Sequence, residues 1–276
     1  MSGASPAFPS CPIFCVDAFT DQPFHGNPAA VCLLDEAFDE QRMLAIAAEL
    51  NLSETAFVVP QRDGFGLRWF TPTVEVELCG HATLASAHVL FETGRVAPSE
   101  PTRFHTRWKG ELVGTAVGGR VALDFPAAPS TPVDTPSGLA TALGAEPIAV
   151  GVNDLHHVIE VADAAIVRAL APDIAAVAAV DGVSAVAVTA PGDEPGVDFV
   201  SRYFAPRHGI DEDPVTGSAH TSLGPWWSER LGRTELVGRQ VSARSGTVRV
   251  TVDAPAPGRV TLTGSAVTVW RGDLTL

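Results

Sequence analysis

Arg68-Trp69-Phe70-Thr71-Pro72 returns 134 residues later as Arg202-Tyr203-Phe204-Ala205-Pro206. Downstream of each copy, Cys79-Gly80-His81-Ala82 is answered by Thr216-Gly217-Ser218-Ala219, 137 residues on. In both copies a strand ends at Pro, a loop follows, and a Gly turn opens an apolar helix. A single match of this kind is weak. Two in the same order, one in each half of a 276-residue chain, point to an internal duplication. The chain therefore reads as two similar halves, 12–125 and 137–272. The Pro-rich stretch 126–136 between them is the expected linker.

The hydrophobic pattern fills in each half. Strands are expected over 13–18 and 29–34, and a helix over 39–50 from the spacing of Met43, Ile46, Ala47 and Leu50. Strands 55–59 and 66–70 flank an Asp63-Gly64 turn. An apolar helix over 82–92 stops at Gly94, and three short strands fill 102–125 around Gly118-Gly119. In the second half, strands are expected over 148–152, 158–161, 185–189 and 197–204, with helices over 164–170 and 174–180. A further helix runs over 218–231 to Gly232, and strands fill 234–273. Gly and Pro supply 47 residues, which favours many turns and a β-rich, α+β fold.

Composition removes several function classes. A net charge of −14 gains nothing from counterion release, so nucleic-acid partners are not expected, and anionic membrane surfaces are disfavoured. The lone lysine, Lys109, sits in a strand end or turn and is a poor Schiff-base candidate for pyridoxal phosphate. Cys11, Cys15, Cys32 and Cys79 form no C-x-x-C pair and no zinc spacing, so no metal site is expected. Reduced thiols and a cytoplasmic location are the expectation. Residues 1–10 carry no secretory-leader pattern, and the Ala/Val-rich run 174–190 is broken by Asp181-Gly182, so no membrane span is expected. No Rossmann fingerprint, P-loop, G-x-S-x-G or H-E-x-x-H occurs.

The chemistry that remains gathers at the two Gly turns. A helix N-terminus offers unsatisfied N–H groups and partial positive charge. Gly80 and Gly217 let a ligand come close to that backbone, so two such termini aimed at one cleft would bind a carboxylate. Taken singly, either is an ordinary strand–helix turn; the repetition favours a site. Glu54 enters an apolar strand, where desolvation disfavours a bare carboxylate and suits it to proton transfer. A surface Glu or a cap is the plainer reading of Glu54 from the residues alone. The helix dipole would bias His81 toward its neutral form. Asp213, before Pro214, could orient His81 or a substrate amine, or simply cap the turn. Cys79 at a helix start would have a lowered thiol pKa. Its mirror position is Thr216, so a symmetric two-thiol racemase has no support. His88, His156 and His157 read as packing or surface histidines.

Asp17-Ala18-Phe19-Thr20, Phe24-His25-Gly26-Asn27-Pro28, Asn51-Leu52-Ser53-Glu54-Thr55, Cys79-Gly80-His81-Ala82-Thr83 and Glu212-Asp213-Pro214-Val215-Thr216-Gly217-Ser218-Ala219 together resemble the phenazine biosynthesis PhzF-like family. The resemblance spans about 12–272. It implies the diaminopimelate-epimerase-like fold, in which two pseudo-symmetric halves each wrap a mostly antiparallel, barrel-like sheet around a central helix. It also implies a homodimer that needs no cofactor or metal and acts on a small carboxylated substrate. The type member isomerises trans-2,3-dihydro-3-hydroxyanthranilate. Its proton-shuttling glutamate matches Glu54, its helper residues match His81, Asp213 and Ser218, and its backbone anion sites match Gly80 and Gly217. Asn27 falls in the loop that lines the cleft, and Cys79 stands where the phenazine enzyme has a small residue. Three readings follow: a proton-moving isomerase, a Cys79-dependent lyase or epimerase such as a hydroxyproline dehydratase-like enzyme, and a catalytically silent carboxylate-binding protein.

Overall fold

The computed structural model describes residues 10–275. Residues 1–9, on which most of the leader reading rests, lie outside the described residues. Six α-helices occur among the described residues: α1 Glu40–Leu50, α2 Gly80–Glu92, α3 Leu139–Leu143, α4 Ala164–Ala169, α5 Ile174–Ala179 and α6 Gly217–Leu231. Two of them, α2 and α6, are buried on nearly every face. In α2, Ala82, Leu84, Ala85, Ala87, Val89 and Leu90 are all inside, and in α6 Ala219, Leu223, Trp226 and Trp227 are. A helix apolar all round must sit inside the fold. Small residues let the strands close on it: a Cβ on Gly224 of α6 would lie 2.5 Å from Val250.

The strands repeat one pairing pattern. Asn27–Leu33, Glu54–Gln61, Gly64–Phe70, Thr102–Thr106, Glu111–Val117 and Arg120–Pro126 pair successively as parallel, antiparallel, parallel, antiparallel and antiparallel. His157–Glu160, Val186–Pro191, Phe199–Ala205, Glu235–Gln240, Gly246–Val252 and Arg259–Gly264 do the same in the same order. The duplication read from two short motifs thus extends through the whole topology. Arg120–Pro126 pairs with Arg259–Gly264 and joins both ladders into one sheet.

Each half also receives a strand from the other. Thr131–Pro132, after the first half, pairs with Ala149–Val152 of the second. Ala266–Thr275, at the end of the second half, pairs along its length with Ser10–Ala18 of the first. The Pro-rich stretch 126–136 is therefore more than a tether. The Val133 N–H donates to the Val150 carbonyl at 3.0 Å, and the Ala128 N–H to Thr221 at 3.1 Å. Proline suits such an edge, because it has no N–H to contribute to a ladder.

Strand alternation places side chains on two faces. In Glu54–Gln61, Ala56 and Val58 join the core around α2, while Phe57 points outward to Met43 and Ile46 of α1. Glu54 shares the inward parity of Ala56 and Val58. The outer face of the second half is covered by α3, α4 and α5, through Leu139, Val167 and Val177.

Candidate active site

The helix starts fall into two kinds. Asp39, Asp163 and Asp173 cap α1, α4 and α5, each accepting a backbone N–H. Cys79 and Thr216, before α2 and α6, make no such cap. The short α3, which starts at Gly138, has no side-chain cap either, but only the starts of α2 and α6 meet. A Cβ on Gly80 would lie 3.5 Å from the Gly217 Cα, and one on Gly217 would lie 3.4 Å from the Gly80 Cα. Two positive helix ends held this close repel unless negative charge sits beside them. Glu54 and Asp213 supply it.

Glu54 begins its strand, opposite Ala29 in parallel register. Its Oε2 lies 3.0 Å from His81 Nε2 and finds no aligned hydrogen-bond donor among the described residues. The other His81 nitrogen, Nδ1, lies 3.5 Å from Cys79 Sγ. All three side chains are buried. His81 therefore bridges a carboxylate and a thiol. The expectation of a neutral imidazole is corrected here: burial opposes its charge, yet the Cys79 sulfur and the Glu54 carboxylate outweigh burial and hold His81 well above its ordinary range. The expectation of an acidified thiol is corrected too. Burial pushes the Cys79 thiol up and the Glu54 charge adds to it, beyond what His81 and the helix end recover.

Asp213 is held by a separate network. Asn27 Nδ2 donates to Asp213 Oδ1 at 2.8 Å and to the Val215 carbonyl at 2.9 Å, and the Thr216 hydroxyl donates to Asp213 Oδ2. Gln240, fully buried, donates to the Asp213 carbonyl at 2.6 Å and accepts the Thr216 N–H at 2.8 Å. Burial pushes the Asp213 carboxyl up, more than His81, Thr216 and Asn27 pull it down. Ser218 lies half-buried in the first turn of α6.

The structure thus brings Asn27, Glu54, Cys79, Gly80, His81, Asp213, Gly217 and Ser218 to one junction, with Asp213 tied to Asn27 and Thr216 by hydrogen bonds and to His81 only through charge. Gln240 carries no sequence signal, because nothing in Leu236–Val241 departs from an ordinary strand. Tyr203 could have been found: it is the sole tyrosine and the repeat partner of Trp69. It faces Asp213 in the ladder, and burial pushes its hydroxyl up.

The loop before Asn27 is clamped across the halves. Arg244 donates to Asp17 at 2.6 Å, to the Gly26 carbonyl at 2.9 Å and to the His25 carbonyl at 3.0 Å. A separate groove of about 580 Å³, lined by Phe38, Met43, Phe57 and Arg68, opens on the outward face of Glu54's strand. Its charges are spent on each other, with Arg68 and Arg107 both bonded to Glu40 and Glu75. His105 also lines it, with Nε2 3.3 Å from the Asp63 carboxylate.

Two buried histidines of the second half are structural. His156 Nε2 pairs with the Ser222 hydroxyl at 2.7 Å, and His220 Nδ1 donates to the Thr216 carbonyl at 2.8 Å. Burial lowers both to about 4, with His157 and His220 adding for His156. Unfolded, each takes a proton near pH 6.5; folded, neither does until about pH 4. The unfolded state binds more protons in that window, so stability falls as pH drops through it, by about 3 kcal/mol per histidine. Urea unfolding at pH 7 and pH 4.5 measures this. His220→Asn, which keeps the donor, is expected to flatten the slope; an unchanged slope refutes the assignment.

No helix among the described residues is long and apolar enough to cross a membrane. The profile of the PhzC-PhzF family, described as "Phenazine biosynthesis-like protein", matches residues 16–272. The chain is 49% identical over 265 residues to a Pseudomonas aeruginosa protein named an uncharacterized isomerase, covering 96% of this chain and 98% of that one. It superposes on a crystal structure of a PhzF-family protein from Enterococcus faecalis with a TM-score of 0.92 and 41% identity, over 97% of this chain and all of the other. A hydroxyproline epimerase from Agrobacterium vitis shares the fold alone, with a TM-score of 0.59 and 13% identity over 97% and 93% of the two chains. With its duplicated halves, its paired helix starts and these likenesses, the chain belongs to the phenazine biosynthesis-like PhzC-PhzF family and has its diaminopimelate-epimerase-like fold.

Proposed function

We propose that the protein is a cofactor-independent isomerase that moves a proton between two carbons of a small cyclic or amino-acid-like carboxylate. The observation that carries this reading is Glu54 Oε2, buried without an aligned donor, 3.0 Å from His81 Nε2 at the junction of two uncapped helix starts. The substrate carboxylate sits on the N–H groups at Gly80 and Gly217. Glu54 takes a proton from one carbon, and the C–H electron pair spreads into the substrate's conjugated system. The protonated Glu54 then returns the proton to a second carbon. His81, held charged, stabilises the anion that exists between the two transfers. Asp213 and Ser218 orient polar groups of the substrate, and Asn27 fixes Asp213. A cytoplasmic homodimer is part of the same reading.

The test is proton NMR in D2O with trans-2,3-dihydro-3-hydroxyanthranilate. Isomerisation with deuterium incorporation supports the reading. No reaction with this or a panel of other carboxylates favours a silent carboxylate-binding protein.

The 3.5 Å approach of Cys79 Sγ to His81 supports a second reading, a Cys79-dependent lyase or epimerase. The raised thiol counts against it. Cys79→Ser is expected to keep at least about a tenth of wild-type turnover, well short of the ~10²-fold loss that follows removal of an acid–base group. Abolished turnover, with inactivation of the wild type by iodoacetamide, makes the thiol reading the correct one.

A further inference from the structure

The Glu54–His81–Cys79 trio has a property that proton transfer does not require. One donor atom from each residue lies within 4.8 Å of the other two, and all three side chains are buried. A carboxylate oxygen, an imidazole nitrogen and a sulfur form a ligand set suited to zinc, and three protein ligands leave the fourth position open. The spacing fits. Zinc–nitrogen and zinc–sulfur bonds of about 2.0–2.3 Å put tetrahedral ligands roughly 3.3–3.6 Å apart. Here Oε2 lies 3.0 Å and Sγ 3.9 Å from His81 Nε2. Shifts of a few tenths of an ångström bring these two edges to tetrahedral spacing, and the third, from the Glu54 carboxylate to the Cys79 sulfur, spans no more than 4.8 Å. Glu54 Oε2 is buried without an aligned hydrogen-bond donor, which leaves it able to take a ligand. The sequence showed none of this, because the three ligands come from a strand and a distant helix start.

We infer that Glu54, Cys79 and His81 form a reversible site for Zn2+, and that the bound ion silences proton transfer by occupying Glu54. On binding, the Cys79 thiol and the His81 imidazolium each give up a proton to solvent as sulfur and Nε2 bond the ion; no electrons change hands. Binding stands on the geometry alone, and only the silencing rests on the isomerase reading.

Cobalt(II) reports the site directly, because it takes the same tetrahedral place and its thiolate bond absorbs in the near ultraviolet. The metal-free protein is titrated with Co2+ and then with Zn2+. The expected result is one equivalent bound, a thiolate-to-cobalt band with tetrahedral visible bands, and loss of both on adding Zn2+. Cys79→Ser loses the near-ultraviolet band and binds Zn2+ at least about ten-fold more weakly. A cobalt spectrum without the thiolate band, or unchanged Zn2+ affinity in Cys79→Ser, overturns the inference. If the variant does not fold, X-ray absorption of the zinc-loaded wild type decides: one sulfur with nitrogen and oxygen neighbours supports the site, and no sulfur overturns it. Zn2+ is further expected to stop deuterium exchange and a chelator to restore it. Thiolate-bound metal with exchange unaffected refutes the silencing alone. Metal binding without any turnover at all refutes the isomerase reading and leaves the site standing.

Discussion

Replacing Glu54 by Gln is expected to lower kcat on trans-2,3-dihydro-3-hydroxyanthranilate about 10³-fold, within the 10²–10⁴ range of a positioned acid–base group. Gln keeps the shape and polarity of Glu but cannot carry the proton. The N–H groups at Gly80 and Gly217, proposed above to hold the substrate carboxylate, are untouched, so KM is expected to stay within a few-fold of wild type, the pattern of an interaction made only in the transition state. Deuterium incorporation is expected to stop with turnover, because both need the same proton carrier. Folding of the variant is checked by circular dichroism, since His81 loses its buried counter-charge. A variant that keeps more than about a tenth of wild-type kcat contradicts the assignment.

The second large effect is expected at Gly26. Its φ is +65°, and a Cβ there would lie 2.1 Å from the Ala18 carbonyl oxygen and 2.8 Å from Thr20 Cγ2. The Ala18 carbonyl cannot yield, because Ala18 is locked between Asn27 and Ala266 in the sheet. The Gly26 N–H donates to Ser245 at 2.7 Å, so the loop cannot swing away without breaking the clamp between the halves. Gly26→Ala is therefore expected to cost more than about 3 kcal/mol. For a domain of this size that corresponds to a melting temperature lower by roughly 6–12 °C. Activity falls as well, because Asn27 follows directly and positions Asp213. Gly94→Ala separates strain from collision. Its φ is +68°, yet nothing lies within 4 Å of its Cβ position. It is expected to cost only about 1–2 kcal/mol, and equal losses at both positions would disprove the collision argument.

Much of this was legible in the chain. The Arg-aromatic-Phe-x-Pro repeat announces two copies, and the strand pairings repeat step for step. The Gly turns mark the starts of α2 and α6, and the family resemblance, not the residue pattern, implied their place at the centre of each half. Other features lie beyond local pattern. Alternation says which face a strand buries but not which strand it pairs with, so the crossing of Thr131–Pro132 and Ala266–Thr275 could not be read. The five-residue α3 is too short for periodicity and is bounded by Gly138 and Gly144 at positive φ. Gln240 supports Asp213 from a strand of ordinary composition. The charge states of His81 and Cys79 were misjudged because the helix dipole is a small term beside burial and a neighbouring carboxylate. No spacing rule places Glu54 against Cys79, since 24 residues and a sheet crossing intervene.

The traded strands carry a lesson about origin. Neither half closes its sheet with its own chain, since the segment that leaves one half completes the other. A half-length polypeptide with this topology would leave one edge open and one tail unpaired. Two copies of it would cure both defects by exchanging tails. The present molecule is what such a pair becomes when one peptide joins the copies. Fusion frees the two sides to diverge, and here they have: one contributes Glu54, Cys79 and His81, and the other Asp213, Thr216 and Gln240. A symmetric ancestor could offer a substrate only the same groups twice.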